Sequence, residues 1–277
     1  MNRISKFIMK QRNGGINLIK IGTYSFDEAD LPETLYKYRD WTKQWHRTIL
    51  TERIVYMAAP SSFEDPLDCK NPVRWDLLRR KDIFSRYLLE IEKQRPDWPK
   101  KRKRSWATIW LKKSPLRDKD FIKEQAEQTL KDFDCRFGVL SLTANPDNPM
   151  MWETYANASS GFCVGFDPKI LFRYLGGGGE VHYTEELPKI YPTPRHSYEA
   201  QHILQVFYKE KKWEYEQEYR THKFSPIPMS VTDRQIIIPP EAYKEIIIGK
   251  NMPEATKEDL LKSLPDELQK LSIIYQK

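Results

Sequence analysis

The sequence has few of the residues that build metal sites, disulfide frameworks and membrane spans. Its 277 residues include three cysteines, Cys69, Cys135 and Cys163, which form no CxxC pair, and five histidines without ligand spacing. A structural zinc site needs ligands at short, regular spacings, and three cysteines far apart are not typical of a disulfide framework. We therefore expect reduced thiols and no bound metal. No apolar run approaches the roughly 18 residues of a membrane span, and the N-terminus lacks the apolar core of a secretory signal. We therefore expect a cytoplasmic protein without a membrane partner.

The sequence also lacks the short motifs that identify common nucleotide-binding and hydrolytic folds. Its run of glycines at 176–179 is followed by neither Lys-Ser nor Lys-Thr and contains no GxGxxG pattern. Neither phosphate-loop fingerprint therefore applies, and a flexible turn explains the run. No serine or cysteine carries the local motif of a catalytic nucleophile.

What the sequence does have is a mild excess of positive charge and many aromatic residues. Its 46 basic and 39 acidic side chains give a net charge of +7 and a pI of about 9.1. This balance is compatible with a nucleotide or a nucleic acid as partner but does not require one. Aromatic residues make up 13 % of the chain, and many lie beside charged ones, which favours pockets over a purely aliphatic core.

The order of apolar patterns predicts a single α+β domain. Residues 1–30 form a basic lead-in, and residues 31–277 contain no internal repeat and no linker that would separate domains. Helical spacing of apolar residues recurs at both ends of the segment 76–133, which predicts a helical, basic insertion. Short strand-like runs before and after this segment predict a mixed, mainly antiparallel sheet core.

The stretch from Phe137 to Asp167 is the most distinctive in the chain. Its two apolar runs, Phe137–Thr143 and Gly161–Phe166, predict buried strands joined by a loop and a short helix. In that helix Trp152 and Tyr155 are three positions apart and share a face, so they are candidates for the wall of a pocket. Core packing beneath the loop is the alternative for both rings.

A second candidate is the segment LYKYR at 35–39, whose alternation predicts a half-buried strand. Period two places Lys37 and Arg39 on one face and Tyr36 with Tyr38 on the other. Arg39 could bind a phosphate or a carboxylate in a forked geometry while the rings stack on a base. A surface strand whose basic side chains reach into solvent is the alternative.

A third candidate is the charged segment Trp213–Arg220, which follows a stretch, Tyr198–Lys212, that is predicted to be helical. As a strand, the segment places Glu216, Glu218 and Arg220 on one face, where like charges require either solvent or basic partners. As a helix, it places the two preceding lysines one turn away, which offsets part of the repulsion. The simplest interpretation is a charged face exposed to solvent.

A fourth candidate is a basic run with tryptophans on both sides of it. Positive charge next to aromatic rings is typical of surfaces that bind single-stranded nucleic acid. A charge run in an insertion is more often a solvated face. The candidate nucleic-acid residues are Lys100, Lys101, Arg102, Lys103 and Arg104, between Trp98 and Trp106.

Four blocks of the sequence follow one another in a specific order. They are LYKYR at 35–39, SSFEDPLD at 61–68, FGVLSLTANPDNPMMWETYANASSGFCVGFD at 137–167 and KKWEYEQEYR at 211–220. Together they resemble the bacterial domain-of-unknown-function family 2971, over most of residues 35–250. Glu64 departs from the pattern, since the family more usually has Asn there, and the segment 76–133 falls where its members vary in length.

The resemblance implies an ADP-ribosyltransferase-like arrangement, with an early basic strand, a middle aromatic block and a late glutamate. It also implies NAD as a co-substrate. Arg39 and Tyr38 would bind its pyrophosphate or ribose, and either Trp152 or Tyr155 would stack on the nicotinamide ring.

In the implied reaction, Glu218 hydrogen-bonds a ribose hydroxyl and stabilises the oxocarbenium-like cation that forms as the glycosidic bond breaks. Glu216 then orients the acceptor, and Arg220 binds near the cofactor and keeps Glu218 ionised. The leading hypothesis is therefore an NAD-utilising enzyme, which catalyses either ADP-ribosyl transfer to an acceptor such as a protein or NAD glycohydrolysis.

Two other hypotheses remain open. A nucleic-acid-interacting defence or stress-response module would use the basic insertion without catalysis. An inert protein-interaction domain would bury its aromatic blocks in the core. Placement of Arg39, Tyr155 and Glu218 around one cleft would favour the enzyme, whereas scattered positions or burial in separate ion pairs would contradict it.

Overall fold

The structure is a computed structural model and describes residues 5–9, 20–24 and 30–276. Its helices are α1 (Gln44–Thr51), α2 (Arg80–Gln94), α3 (Lys100–Lys112), α4 (Lys119–Arg136), α5 (Pro149–Tyr155), α6 (Pro168–Leu175), α7 (Tyr198–Val206) and α8 (Glu254–Lys262). Its strands are β1 (Ser5–Met9), β2 (Lys20–Tyr24), β3 (Leu35–Arg39), β4 (Ile54–Tyr56), β5 (Phe137–Thr143), β6 (Phe162–Phe166), β7 (Gly179–Glu180), β8 (His182–Thr184), β9 (Tyr208–Glu210), β10 (Glu218–Phe224), β11 (Gln235–Ile237), β12 (Tyr243–Ile248) and β13 (Ser272–Tyr275).

A seven-stranded sheet with the order β13-β12-β6-β3-β5-β10-β7 forms the frame. β12 and β13 are parallel, and the other neighbours in this order are antiparallel. The predicted α+β class with a mixed, mainly antiparallel sheet is therefore confirmed. Three smaller pairs, β1 with β2, β4 with β11 and β8 with β9, lie outside the sheet.

Strand β3 lies at the centre of the sheet, between β6 and β5. Its alternation follows the predicted period of two. Tyr38 packs in a buried cluster with Trp152 and Cys163. The pleat turns Lys37 and Arg39 to the opposite face, where both line a cavity.

Strands β5 and β6 bury nearly all of their side chains, as expected for the two apolar runs. β5 has the predicted bounds, β6 begins at Phe162, and the short helix between them is α5. Gly161, just before β6, lets the chain pass close to β3, because a Cβ there would lie 2.2 Å from the carbonyl oxygen of Arg39. A larger residue would push the two strands apart.

The insertion is helical, as predicted, and consists of α2, α3 and α4. Ile83, Leu111 and Leu116 pack with Trp75, Ile190 and Leu204 into a second buried apolar cluster. The basic run occupies the first turns of α3. The insertion therefore presents its charge on a helix that is anchored to the frame by a separate apolar cluster.

One expectation about the chain's organisation is corrected, and another falls mostly outside the described residues. α7 ends at Val206 rather than Lys212, because the chain turns at Phe207 and continues as β9, parallel to β8. Most of the lead-in 1–30 lies outside the described residues, and its two described pieces, β1 and β2, pair antiparallel. Among the described helices, none is long and apolar enough to cross a bilayer.

Candidate functional site

A cavity of about 630 Å³ lies against the central strands of the sheet. β3 contributes Lys37 and Arg39 to its wall, β10 contributes Glu218, and α5 contributes Tyr155. The volume is within the range of small-molecule sites in proteins. Because Arg39, Tyr155 and Glu218 line one cavity, the geometric condition that favours an enzyme is met.

Arg220 lies behind Glu218 and is completely buried. Its Nε and Nη2 atoms donate to the two carboxylate oxygens of Glu218, at 2.8 and 2.7 Å. Its Nη2 atom also donates to Asp68 Oδ2 at 2.8 Å, and its Nη1 atom lies 2.7 Å from Asp68 Oδ1. Forked contacts of this kind are strong and directional, so Arg220 fixes the orientation of both carboxylates.

Lys209, on β9, joins the same carboxylates from another direction. Its Nζ atom lies 2.5 Å from Glu216 Oε2 and 3.3 Å from Glu218 Oε2. It also lies 3.2 Å from Asp68 Oδ2. Three buried carboxylates thus meet two buried cations, and each carboxylate has a cationic partner. Burial of charge is tolerated only with such pairing.

The backbone around Glu216 explains why two neighbouring glutamates point into one site. A 3₁₀ turn ends at Glu216, and Gln217 then adopts the left-handed conformation with φ 44° before β10 begins at Glu218. Thr143 donates its hydroxyl to the Glu216 carbonyl oxygen at 2.6 Å. A left-handed non-glycine residue costs about 1–2 kcal/mol, so the surrounding contacts must hold this turn in place.

The pKa values of the two glutamates are shifted in opposite directions. Burial raises the pKa of Glu216, and Lys209 offsets only part of that effect. Burial also acts on Glu218, but Arg220 and Lys209 outweigh it and hold its pKa below the usual range. Neighbouring carboxylates with separated pKa values can divide the roles of fixed anion and proton carrier.

Lys37 and Arg39 form a separate, positively charged part of the wall. Lys37 Nζ donates to the carbonyl oxygen of Ser141 at 2.6 Å, and Arg39 Nη1 makes only a long bond of 3.4 Å to Tyr38 O. Within residues 30–276, neither side chain forms an ion pair with a carboxylate. Burial lowers the pKa of Lys37 to about 7 and that of Arg39 to about 10. These cations have donors left for an anionic ligand.

Aromatic and apolar side chains surround the outer part of the cavity. Trp45 and Val231 both line it and are 71 % and 68 % exposed, and Tyr56 lines it and is 38 % exposed. An exposed ring next to a cavity offers a surface on which a planar ligand group can stack. The sequence did not single out any of these three residues.

Of the predicted site residues, five line the cavity, namely Tyr38, Arg39, Tyr155, Glu216 and Glu218. Tyr155 is 39 % exposed and donates its hydroxyl to Glu216 Oε1 at 3.2 Å. Its ring is thus positioned by the carboxylate cluster and still accessible.

The predicted contact of Trp152 with a cofactor is wrong. Trp152 is 1 % exposed, donates its indole N–H to Pro146 O at 2.8 Å and packs edge-on against Tyr38, with ring centroids 5.0 Å apart. The Tyr38 hydroxyl donates to Asn145 O at 2.8 Å. Both rings are therefore buried, and Tyr38, although it borders the cavity, already donates its hydroxyl proton to the backbone.

Arg220 is also not a ligand contact, because its side chain is completely buried behind Glu218. Its geometry fits the other predicted role, which is to hold Glu218 ionised. The interpretation of 213–220 as a solvent-exposed charged face is wrong, since Glu216 and Glu218 are 3 % and 5 % exposed. The basic partners that a buried face requires are Arg220 and Lys209.

Sequence reasoning missed Asp68 and Lys209 and did not assign a role to Lys37. Asp68 ends the SSFEDPLD block, so its position in one of the four ordered blocks was the available signal. Lys209 lies in a lysine-rich stretch that was predicted to be helical, so no pattern marked it as a site residue. Its burial follows from the short strand β9, which the pattern of residues did not indicate.

The basic run of the insertion lies outside the cavity wall and is only partly available to a partner. Lys103 is buried and donates to Pro96 O at 3.1 Å, so its predicted contact with nucleic acid is wrong. The Arg102 guanidinium lies 4.0 Å from the centroid of the Trp98 ring. The exposed members of the run are Lys100, Lys101, Arg102 and Arg104.

Comparison with known proteins adds no relative. No family model matches the chain, and neither a curated protein nor a solved structure matches it. The resemblance to domain-of-unknown-function family 2971 therefore stays a prediction, as does the ADP-ribosyltransferase-like arrangement. The function has to be argued from the site itself.

Proposed function

We propose that the protein is an enzyme that cleaves the glycosidic bond of NAD or a related nucleotide and transfers the ADP-ribosyl group to an acceptor or to water. The observation that carries the proposal is the presence of Arg39, Tyr155 and Glu218 on one cavity wall. The three groups match the needs of such a ligand. A cation suits the phosphates, an aromatic ring suits nicotinamide, and an ionised carboxylate suits the sugar.

The proposed role of Glu218 is to stabilise the cation that forms on the sugar. When the bond between ribose C1 and the nicotinamide nitrogen breaks, the nitrogen keeps the electron pair and positive charge develops at C1. A fixed carboxylate stabilises this charge more in the transition state than in the ground state. Arg220 and Lys209 keep Glu218 ionised and oriented, so little reorganisation is needed during the reaction.

The proposed role of Glu216 is to accept the proton of the attacking group. Attack by water or by an acceptor hydroxyl on C1 releases one proton. Glu216 is a stronger base than an ordinary glutamate because burial raises its pKa. Its contact with the Tyr155 hydroxyl places it beside the ring proposed to stack on nicotinamide.

Nicotinamide release from NAD tests the proposal. We expect release by the wild type and a decrease of about 10²–10³-fold in Glu218→Gln, the size seen when one electrostatic contact to a transition state is lost. Glu214→Gln is the matched control, because Glu214 lies in the same segment but is exposed. Calorimetric titration with NAD accompanies the assay. Absence of both NAD binding and nicotinamide release in the wild type would refute the proposal.

A second candidate function is nucleic-acid binding by α3. Its first turn contains no acidic residue, and Lys100 and Lys101 are exposed there. Positive charge at a helix N-terminus opposes the helix dipole, so an anionic partner explains this placement better than helix stability does. Trp106, on the same helix, is 40 % exposed and could stack on a base.

Fluorescence anisotropy with a single-stranded oligonucleotide over a range of salt concentrations tests this second function. The double variant Lys100→Glu/Lys101→Glu should bind at least about tenfold more weakly, with a shallower salt dependence. The control is Lys112→Glu/Lys113→Glu at the other end of α3, where both lysines are also exposed. Equal effects of the two double variants, or no binding by the wild type, would rule out a specific surface at the start of α3.

A further inference from the structure

Lys37 is the cavity residue whose purpose the fold does not explain. It lies on the central strand, two residues from Arg39 and on the same face. Two neighbouring cations on one strand face repel each other, and burial of an amine without a carboxylate partner is unfavourable. Among the described residues, the one hydrogen bond of its side chain is to the carbonyl oxygen of Ser141. At this part-buried position on the cavity wall, an uncharged side chain would avoid both costs.

We propose that Lys37 is a second anchor, beside Arg39, for the diphosphate group of a nucleotide ligand. The inference rests on the proposed function in that it names the part of the ligand that these residues bind. Lys37 thereby determines specificity for two linked phosphates over a single phosphate.

The geometry of the strand supports this ligand class. Residues two apart on a strand have Cα atoms about 6.6 Å apart and project to the same side, so their long side chains can reach adjoining phosphate groups. Arg39 offers a planar fork, and Lys37 adds a compact charge. The three carboxylates of the cluster are already paired with Lys209 and Arg220. Lys37 and Arg39 therefore remain as the positive charge that a ligand can neutralise.

Binding of a diphosphate at this subsite should take up a proton. The charged and titratable groups that interact electrostatically with Lys37 are Arg39, His46, Cys163, Glu216, Glu218 and Arg220. Burial lowers the pKa of His46 to about 4 and raises that of Cys163, so both are neutral near pH 7. Burial and Arg39 lower the pKa of Lys37 to about 7. An anion next to the amine raises that pKa again.

Calorimetric titration with inorganic pyrophosphate, and separately with orthophosphate, tests the subsite. Measurement at about pH 8 in two buffers of different ionisation enthalpy gives the number of protons taken up, since free Lys37 is then mostly neutral. Lys37→Met removes the amine, and Lys37→Arg keeps a charge that does not titrate. Lys169→Met is the control, because Lys169 is an exposed lysine outside the cavity wall. Thermal unfolding checks that each variant folds.

We expect the wild type to bind pyrophosphate more tightly than orthophosphate. Lys37→Met should weaken pyrophosphate binding by about tenfold or more, as expected for loss of a charge-assisted contact. Lys37→Arg should retain binding but take up about one proton less than the wild type. Pyrophosphate's own ionisation is common to all proteins compared, so the difference between variants reports on Lys37.

Three outcomes would overturn the assignment: no pyrophosphate binding by the wild type, equal affinity for the two anions, or an unchanged proton uptake in Lys37→Arg. Pyrophosphate contains no glycosidic bond, so these titrations test Lys37 alone. Nicotinamide release by the wild type and by Glu218→Gln tests the proposed reaction alone. Each idea can therefore fail while the other stands.

Discussion

Replacement of Arg220 by methionine should be among the most destabilising single changes in this protein. The guanidinium makes buried, charge-assisted contacts to Glu218 and Asp68 at 2.7–2.8 Å. Methionine fills much of the same volume but leaves three buried carboxylates with Lys209 as their one cation. Removal of one partner from a buried ion pair costs about 3–5 kcal/mol. We expect a loss of that size in the free energy of unfolding at neutral pH.

The loss should depend on pH in a defined direction. In the wild type the pKa values of Asp68 and Glu218 lie below their usual range. Their ionised forms therefore contribute stability above the unfolded-state pKa, and this contribution disappears as the pH falls through the lowered folded-state values. Without Arg220, burial raises these pKa values, and the variant loses stability as the pH rises above about 4. The gap between the two proteins should widen from about pH 4 to pH 7.

Urea unfolding followed by circular dichroism measures this gap. Arg220→Lys keeps the charge without the fork and should be intermediate, whereas Arg117→Met, at an exposed arginine, should change the free energy of unfolding by less than about 0.5 kcal/mol. A loss below about 1 kcal/mol in Arg220→Met, or a gap that narrows toward neutral pH, would refute the account of the cluster.

Three further changes are predicted. Lys37→Met should raise the free energy of unfolding by at least about 1 kcal/mol near pH 7, because the pKa of Lys37 falls from 10.5 to about 7 on folding. The gain should shrink toward about pH 10, where the unfolded state also loses the proton, and Lys169→Met should show no such trend in urea titrations at several pH values. Gln217→Gly should be neutral or stabilising and Gln217→Val should lower thermal stability, since φ is 44° there; equal melting temperatures would contradict the strain. Glu216→Gln should remove the acidic limb of kcat/KM, which in the wild type should lie above the ordinary glutamate pKa because burial raises the pKa of Glu216; an unchanged pH profile would exclude Glu216 as the base.

The frame of the molecule could be predicted because its signals are local. The apolar run Phe137–Thr143 and the alternation in LYKYR each determine a strand from a few adjacent residues. Trp152 shows that local signals do not predict which of two neighbouring rings is buried. It lies three positions before Tyr155 on one helix, yet Tyr38, from a distant strand, covers Trp152 and leaves Tyr155 accessible.

The charged cluster could be predicted only in part, because it is assembled from separate segments. Glu216, Glu218 and Arg220 lie two positions apart in sequence, and this spacing indicated either solvent or basic partners. The choice between these depends on Asp68, 152 residues before Arg220, and on Lys209. No local pattern identifies such partners, and the short strand that carries Lys209 has no periodic signal of its own.

The central position of β3 has a consequence for how the chain is made. Lys37 precedes its contact at Ser141 by 104 residues. At a synthesis rate of about 5–20 residues per second, β3 leaves the ribosome about 5–20 s before β5 does. During that time its backbone groups have no partner in the seven-stranded sheet, and an unpaired strand is a site of aggregation. Lys37 and Arg39, which the proposed ligand would later neutralise, are charges of the kind that keep such a strand soluble until its neighbours arrive.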